Sequence, residues 1–464
     1  MELKSLDEIS HAASAMAAGH QDALDRLVYT GVFGTEATRA AARDAVLDQA
    51  RAVGIYPASI HDLYVARGRG EVPSNFTVPA VNIRGASYDT ARALFRARIA
   101  LDAGPVICEI ARSEITYTDQ RPEEYVFVLL GAALREGWRG PVFIQGDHFQ
   151  ISAKKYATDP AGELQAVKDL SAEAIAAGFY NIDIDTSTLV DLDQQTLEQQ
   201  QANNGELCAE LTAFIRAHEP KGVTVSVGGE IGEVGGKNST PEELRAFMKV
   251  YLTAMTKLAA GKPGISKISI QTGTSHGGVP LPDGSIAQVN VDFPAIENLS
   301  QLARDQYALG GAVQHGASTL PANLFDRFAA LGAVEIHLAT EFQNMLLDHP
   351  SFPADLKRVI YEKLRTAAAD ERKANDTDEQ FFYKTRKKAL GMFKREIWDI
   401  APDARQAIRD TLQQKFEFLF GTLALKGTRA LAEKYAPFVP STFPQLGHGL
   451  AAGRGPEDVS GLSD

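Results

Sequence analysis

The sequence predicts an α/β protein, a (β/α)8 TIM barrel with helical N- and C-terminal extensions, on three observations. Eight short apolar runs recur along the chain: FTVPAVN (76–82), PVICEI (105–110), PVFIQGD (141–147), YNIDID (180–185), VTVSVGGE (223–230), KISIQTG (267–273), GAVQHG (311–316) and VEIHLA (334–339). Each is separated from the next by room for a helix, the alternation of a parallel barrel. No glycine fingerprint for a dinucleotide opens the series, which favours the closed barrel over the competing doubly wound open sheet.

Residues 1–75 read as a helical N-terminal extension. HAASAMAAGH and TEATRAAARDAVLDQARAVG are alanine-rich with recurring apolar positions, and the helical pattern stops near Gly54. The barrel occupies 76–345. Its helices are read in TARALFRARIALDAG, EEYVFVLLGAALREG, GELQAVKDLSAEAIAAG, TPEELRAFMKVYLTAM and LSQLARDQYALGG. Thr240 before Pro241 and Glu242 supplies a cap, a proline in the first turn and an acid near the helix N-terminus. Gly104, Gly137, Gly178 and Gly222 fall just before strands, where helices end. Residues 346–440 form a helical C-terminal extension expected on the barrel flank or between subunits, and 441–464 read as a flexible tail.

Composition excludes several classes. The chain has 464 residues, 44% hydrophobic and 23% charged, enough for a large core. A net charge of -12 argues against nucleic acid as a partner. No apolar stretch is long enough to span a membrane, and the acidic N-terminus is unlike a signal peptide. Two cysteines, Cys108 and Cys208, make neither a disulfide scaffold nor a thiolate zinc site, so a cytoplasmic setting is expected.

The chemistry lies at the strand ends. His148, His276 and His315 each close an apolar run and open a turn, which would bring three imidazoles to one rim as a metal site with an open position. Asp147 adjoins His148, and both can serve one site only if one of them leaves the strand alternation. Small residues after His276 and His315 form backbone nests suited to an anion. Glu230 and Glu233 are framed by glycines within reach of a metal. Asp183 and Asp185 share a strand face and require a lysine, a metal or the rim as partner.

With these residues placed, the chain resembles the class II, metal-dependent fructose-bisphosphate aldolases and their ketose-bisphosphate relatives from about Phe76 to Asn344. The resemblance implies Zn2+, or another divalent metal, on His148, His276 and His315, with Glu230 as an associated ligand. A second or monovalent cation goes with it. Asp147 would move the substrate hydroxyl proton. Asn82, Asp185, Gly277, Gly316, Ser318 and Thr340 would lie at the substrate, the glycines and Ser318 where the family holds phosphate.

Departures concentrate on the substrate side. The family's loop base aligns with Asn238, leaving Glu233, Glu242 or Glu243 to substitute, with Glu233 the nearest candidate. The asparagine-x-aspartate of the last strand becomes His337 and Ala339, and a serine after the second strand becomes Ala111 followed by Arg112. Arg112 and His337 are therefore candidates for an anionic end group. The resemblance implies reversible retro-aldol cleavage of a ketose phosphate or bisphosphate through a zinc-stabilised enediolate, by a homo-oligomer, dimer or tetramer. The alternatives are a metal-dependent sugar-phosphate epimerase or isomerase, and a non-catalytic partner subunit.

Overall fold

Alternation of apolar residues with glycine-terminated helices closes into a ring. A computed structural model describes residues 2–232, 237–273, 281, 290–443, 457, 459 and 461–462. Its strands are β1 Ile55–Ala58, β2 Val78–Asn82, β3 Ile107–Ala111, β4 Gly140–Gln150, β5 Asn181–Asp185, β6 Ser226–Glu230, β7 Lys267–Ile270, β8 Ala312–Gln314 and β9 Glu335–Leu338. All pairings are parallel, β2 joins β3 and β9, and β5 pairs back to β4, so β2–β9 form a closed eight-stranded barrel. These eight strands are the eight runs read in the sequence.

β1 was not expected, because the N-terminal region reads as helical. Four residues, one of them Pro57, give too short a run for periodicity. β1 is created by tertiary pairing: Ile55 to Ala58 lie in register with Gly140 to Phe143, below the point where β4 starts to pair with β5. Asn181 ties the junction, donating from Nδ2 to the carbonyls of Ala58 and Ile144 while Oδ1 accepts from Ile60 N.

The helices behave as their end signals require. Thr240 caps Pro241–Leu258 in a reciprocal box with Glu243. Helix Pro402–Thr422 runs along Ser87–Leu101, burying Leu412, Phe416, Leu419 and Phe420, so the C-terminal extension lies on the barrel flank. No described helix is long and apolar enough to cross a membrane.

Candidate metal centre and active site

One irregularity in β4 builds the site. His148 has φ 39°, in the left-handed region, and the β4–β5 register shifts between Gly146 and Phe149. This bulge breaks the alternation of faces, so Asp147 and His148 both turn inward. A β-carbon on Gly146 would stand 2.4 Å from the Phe149 ring, so only glycine lets Phe149 fold back there. A non-glycine residue in this conformation costs about 1–2 kcal/mol, sustained by the packing around it.

His148, Glu230 and His315 offer ligand atoms that all lie within 4.8 Å of one another. The His148 and His315 rings are 4.4 Å apart, and Glu230 Oε2 is 3.6 Å from His148 Nδ1. Asp185 Oδ2 lies 3.1 Å from the same Nδ1, and Gln150 also donates to it, while Ser187 holds Asp185 Oδ1. A carboxylate on one ring nitrogen orients the other toward a metal, and Ser269 Oγ at 3.0 Å from His315 Nε2 acts similarly on the second ring. Two imidazoles and a carboxylate suit a borderline divalent cation. Burial raises the Glu230 pKa to about 8, reinforced by Asp185. Burial would lower that of His148, but Asp147 and Asp185 override it and hold it at about 10. The centre therefore carries protons that a cation would replace.

Asp147 is gripped at both oxygens: Asn82 Nδ2 donates to Oδ2 at 3.0 Å, and His337 Nδ1 lies 3.2 Å from Oδ1. Burial disfavours its charge, yet His148 and His337 outweigh that and keep its pKa well below the ordinary range. His337 in turn stacks on His315, with centroids 4.0 Å apart.

Beneath this layer is a polar core. Gln145 donates to Glu109 at 2.8 Å and to Glu335 at 3.0 Å, and accepts from Lys267 at 2.8 Å. Lys267 pairs with Glu335 and, at 2.9 Å, with Asp183, while His337 Nε2 reaches Glu335 at 2.7 Å. Burial would raise the Glu335 pKa, but Lys267 and His337 hold it at about 2. Burial with the neighbouring Asp147 charge lifts Glu109 to about 8. Asp183 thus has its lysine and Asp185 its histidine, as shared placement on one strand face required.

Of the other residues singled out in the sequence, Gly316 takes a left-handed φ of 68°, and Ser318 Oγ accepts from Ala339 N at 2.6 Å. Thr340 Oγ1 is 3.4 Å from Arg84 Nη1. Arg112 is buried and engaged by Glu163 at 2.7 Å, the Gln150 carbonyl and Glu457 of the tail. Glu243 is spent on its helix cap and Glu242 pairs with Arg245. Glu233, His276 and Gly277 lie outside the described residues. Sequence reasoning missed Glu109, Gln145, Lys267 and Glu335, although charges inside apolar strands, with Glu335 and His337 two apart, mark an inward polar face.

A parallel barrel that gathers imidazoles and carboxylates at the C-terminal ends of its strands defines a scaffold for metal-assisted catalysis. The sequence profile described as fructose-bisphosphate aldolase class-II matches residues 73–422, about three quarters of the chain, and the protein belongs to that family. The match runs past the barrel into the C-terminal helices. Among solved structures, a probable tagatose 6 phosphate kinase from Sinorhizobium meliloti is 17% identical with a TM-score of 0.55, over 77% of this chain and 99% of that one. That likeness shows the fold. A fructose-bisphosphate aldolase from Campylobacter jejuni is 17% identical with a TM-score of 0.48, over 81% and 96%. A putative fructose-1,6-biphosphate aldolase from Coccidioides immitis is 16% identical with a TM-score of 0.45, over 79% and 96%.

Proposed function

We propose that the protein is a zinc-dependent aldolase that reversibly cleaves a ketose phosphate or bisphosphate. The observation that carries this reading is the double anchoring of Asp147 beside the His148–Glu230–His315 cluster. His148 and His315, with His276 and Glu230, would hold the cation, which when bound acts as a Lewis acid on the substrate carbonyl.

Asp147, kept ionised by its histidine neighbours, removes the proton of the hydroxyl next to the scissile bond. That oxygen forms the carbonyl of the aldehyde product as the carbon–carbon bond breaks. The bonding electrons remain on the ketone fragment as an enediolate. Glu233 is the candidate to protonate that fragment, in place of the family's loop base. Asp185 orients His148, while Ser318, Gly316 and Thr340 receive a phosphate at the rim.

An epimerase or isomerase needs a second acid/base on the opposite face of the substrate. His337, its natural candidate, instead contacts Asp147, which favours the aldolase reading. Incubating metal-replete protein with ketose mono- and bisphosphates distinguishes them: cleavage gives two fragments, isomerisation one isomer, and a non-catalytic subunit neither.

A further inference from the structure

Between β1 and β2 the chain crosses the N-terminal mouth of the barrel as the helix His61–Gly68. Its entry is tied to strand starts: Ser59 Oγ donates to the Thr224 carbonyl and accepts from Ser226 N, while Ile60 N donates to Asn181 Oδ1. Its exit is tied on the other side, where Arg67 donates to the carbonyls of Phe76, Gly332 and Ala333, just before β2 and β9. Two glycines admit the helix closely. A β-carbon on Gly68 would stand 2.2 Å from the Ala308 carbonyl oxygen, and one on Gly310 would stand 3.0 Å from Tyr64 Cβ. The helix is thereby pinned against the floor of the barrel, and it sends the fully buried Tyr64 inward.

The Tyr64 hydroxyl donates to Glu335 Oε2 at 2.5 Å. The other oxygen, Oε1, takes Gln145 Nε2 at 3.0 Å and His337 Nε2 at 2.7 Å, with Lys267 beside them. His337 Nδ1 then faces Asp147 Oδ1 and Glu109 Oε1, each at 3.2 Å. Four side chains thus run unbroken from the floor helix to the carboxylate beside the metal centre. Burial raises the pKa of the Tyr64 hydroxyl well above the ordinary phenol range, with the Glu335 charge adding to the effect, so it remains a donor. A carboxylate turns readily about its last bond, because that torsion has broad minima. Gln145, Lys267 and His337 all meet Oε1, so the hydroxyl on Oε2 fixes the plane in which Oε1 meets His337. Without it, Oε2 would be a buried charged acceptor left unsatisfied, and the carboxylate would turn to find another donor.

We infer that Tyr64 is a positioning residue for the reaction: through Glu335 and His337 it holds Asp147 in the orientation that takes the substrate's hydroxyl proton. It touches neither substrate nor metal. Taking Asp147 as the group so positioned rests on the aldolase reading, whereas the chain of contacts up to His337 stands without it. A phenol suits this place because it brings one neutral donor on a stiff side chain, where a second lysine would add charge to a core that already holds Lys267. Residues at the N-terminal face of a barrel ordinarily serve stability. Tyr64 serves the site from that face, opposite the mouth through which substrate enters.

The test is a double-mutant cycle on full-length protein: Tyr64→Phe, His337→Asn and the pair, followed by steady-state cleavage of the best ketose phosphate and by thermal melts. Tyr64→Phe keeps the ring and removes only the hydroxyl. Expected is kcat lowered about tenfold with KM unchanged, the low end for losing a partner that orients an active group. In the His337→Asn background, where the connection is already cut, the same change should leave kcat within about twofold while still lowering the melting temperature. Tyr251→Phe loses an equally buried hydroxyl, one that accepts from Ile265 N at 3.0 Å, and should lower the melting temperature with kcat unchanged. A second readout needs no activity. In protein labelled with nitrogen-15 at histidine, the ring signal lost in His337→Asn is that of His337, and Tyr64→Phe should shift it where Tyr251→Phe does not. An unshifted signal, an unaltered kcat, or an equal loss of kcat in both backgrounds overturns the role of Tyr64. Absence of cleavage by the unaltered protein sinks the aldolase reading alone, and the His337 signal then decides whether Tyr64 holds that ring.

Discussion

His337 Nδ1 lies 3.2 Å from Asp147 Oδ1, while its Nε2 lies 2.7 Å from Glu335 Oε1. A single imidazole therefore links the carboxylate beside the metal centre to the polar core of the barrel. Replacing His337 with asparagine, the residue type of the family at this position, removes the link to Glu335 and loosens Asp147. Expected is a kcat reduced about 10- to 100-fold, the scale of losing a partner that orients an active group, with KM within about threefold. Steady-state kinetics with the best ketose phosphate checks it; a larger effect on KM than on kcat would assign His337 to substrate binding.

Lys267 is the cation on which the core depends. It is fully buried and serves both Asp183 and Glu335. Lys267→Met leaves two buried carboxylates with less compensation, which costs about 3–5 kcal/mol. Urea denaturation measures the change. Adding Asp183→Asn should recover part of it, because the remaining charge keeps His337 as a neighbour.

Proton binding sets the stability of chelator-treated protein. Glu230, raised from 4.5 to about 8, holds in the fold a proton that the unfolded chain releases, so its contribution falls as pH rises through that window. His148, raised from 6.5 to about 10, gives stability present below 6.5 and lost as pH rises toward 10. Glu335, depressed to about 2, acts oppositely, and its contribution is lost only as pH falls from 4.5 toward 2. The melting temperature of metal-free protein should therefore fall between pH 6.5 and 9. Metal binding should release protons and tighten over the same range. Calorimetry in buffers of different ionisation enthalpy counts them.

The bulge in β4 is testable separately. Gly146→Ala places a methyl group against the Phe149 ring, an overpacking that costs about 1–3 kcal/mol. Because the same bulge aims Asp147 and His148, bound metal per chain should fall even under conditions where the variant is folded. Metal analysis alongside a thermal melt measures both; full metal content would separate the bulge from the site.

The barrel was legible because its signals are local and repeated: eight apolar runs, glycines after helices, caps such as Thr240. Asp147, His148 and His315 were legible because they stand where strands meet turns. β1 was not, since four residues become a strand only through pairing with β4. The bulge at His148 was foreshadowed only as a requirement, that two adjacent polar residues both face inward. The polar core is not legible, because Glu109, Lys267 and Glu335 sit singly within apolar strands and only barrel closure brings them together.

Metal-dependent product analysis decides whether the protein cleaves a sugar phosphate. Purified protein, with and without chelator, is incubated with a panel of ketose mono- and bisphosphates, and products are resolved by mass spectrometry. Expected are two fragments from one ketose phosphate or bisphosphate, no product after chelation, and recovery on adding Zn2+. A single isomeric product, or cleavage that survives chelation and His315→Ala, would contradict it.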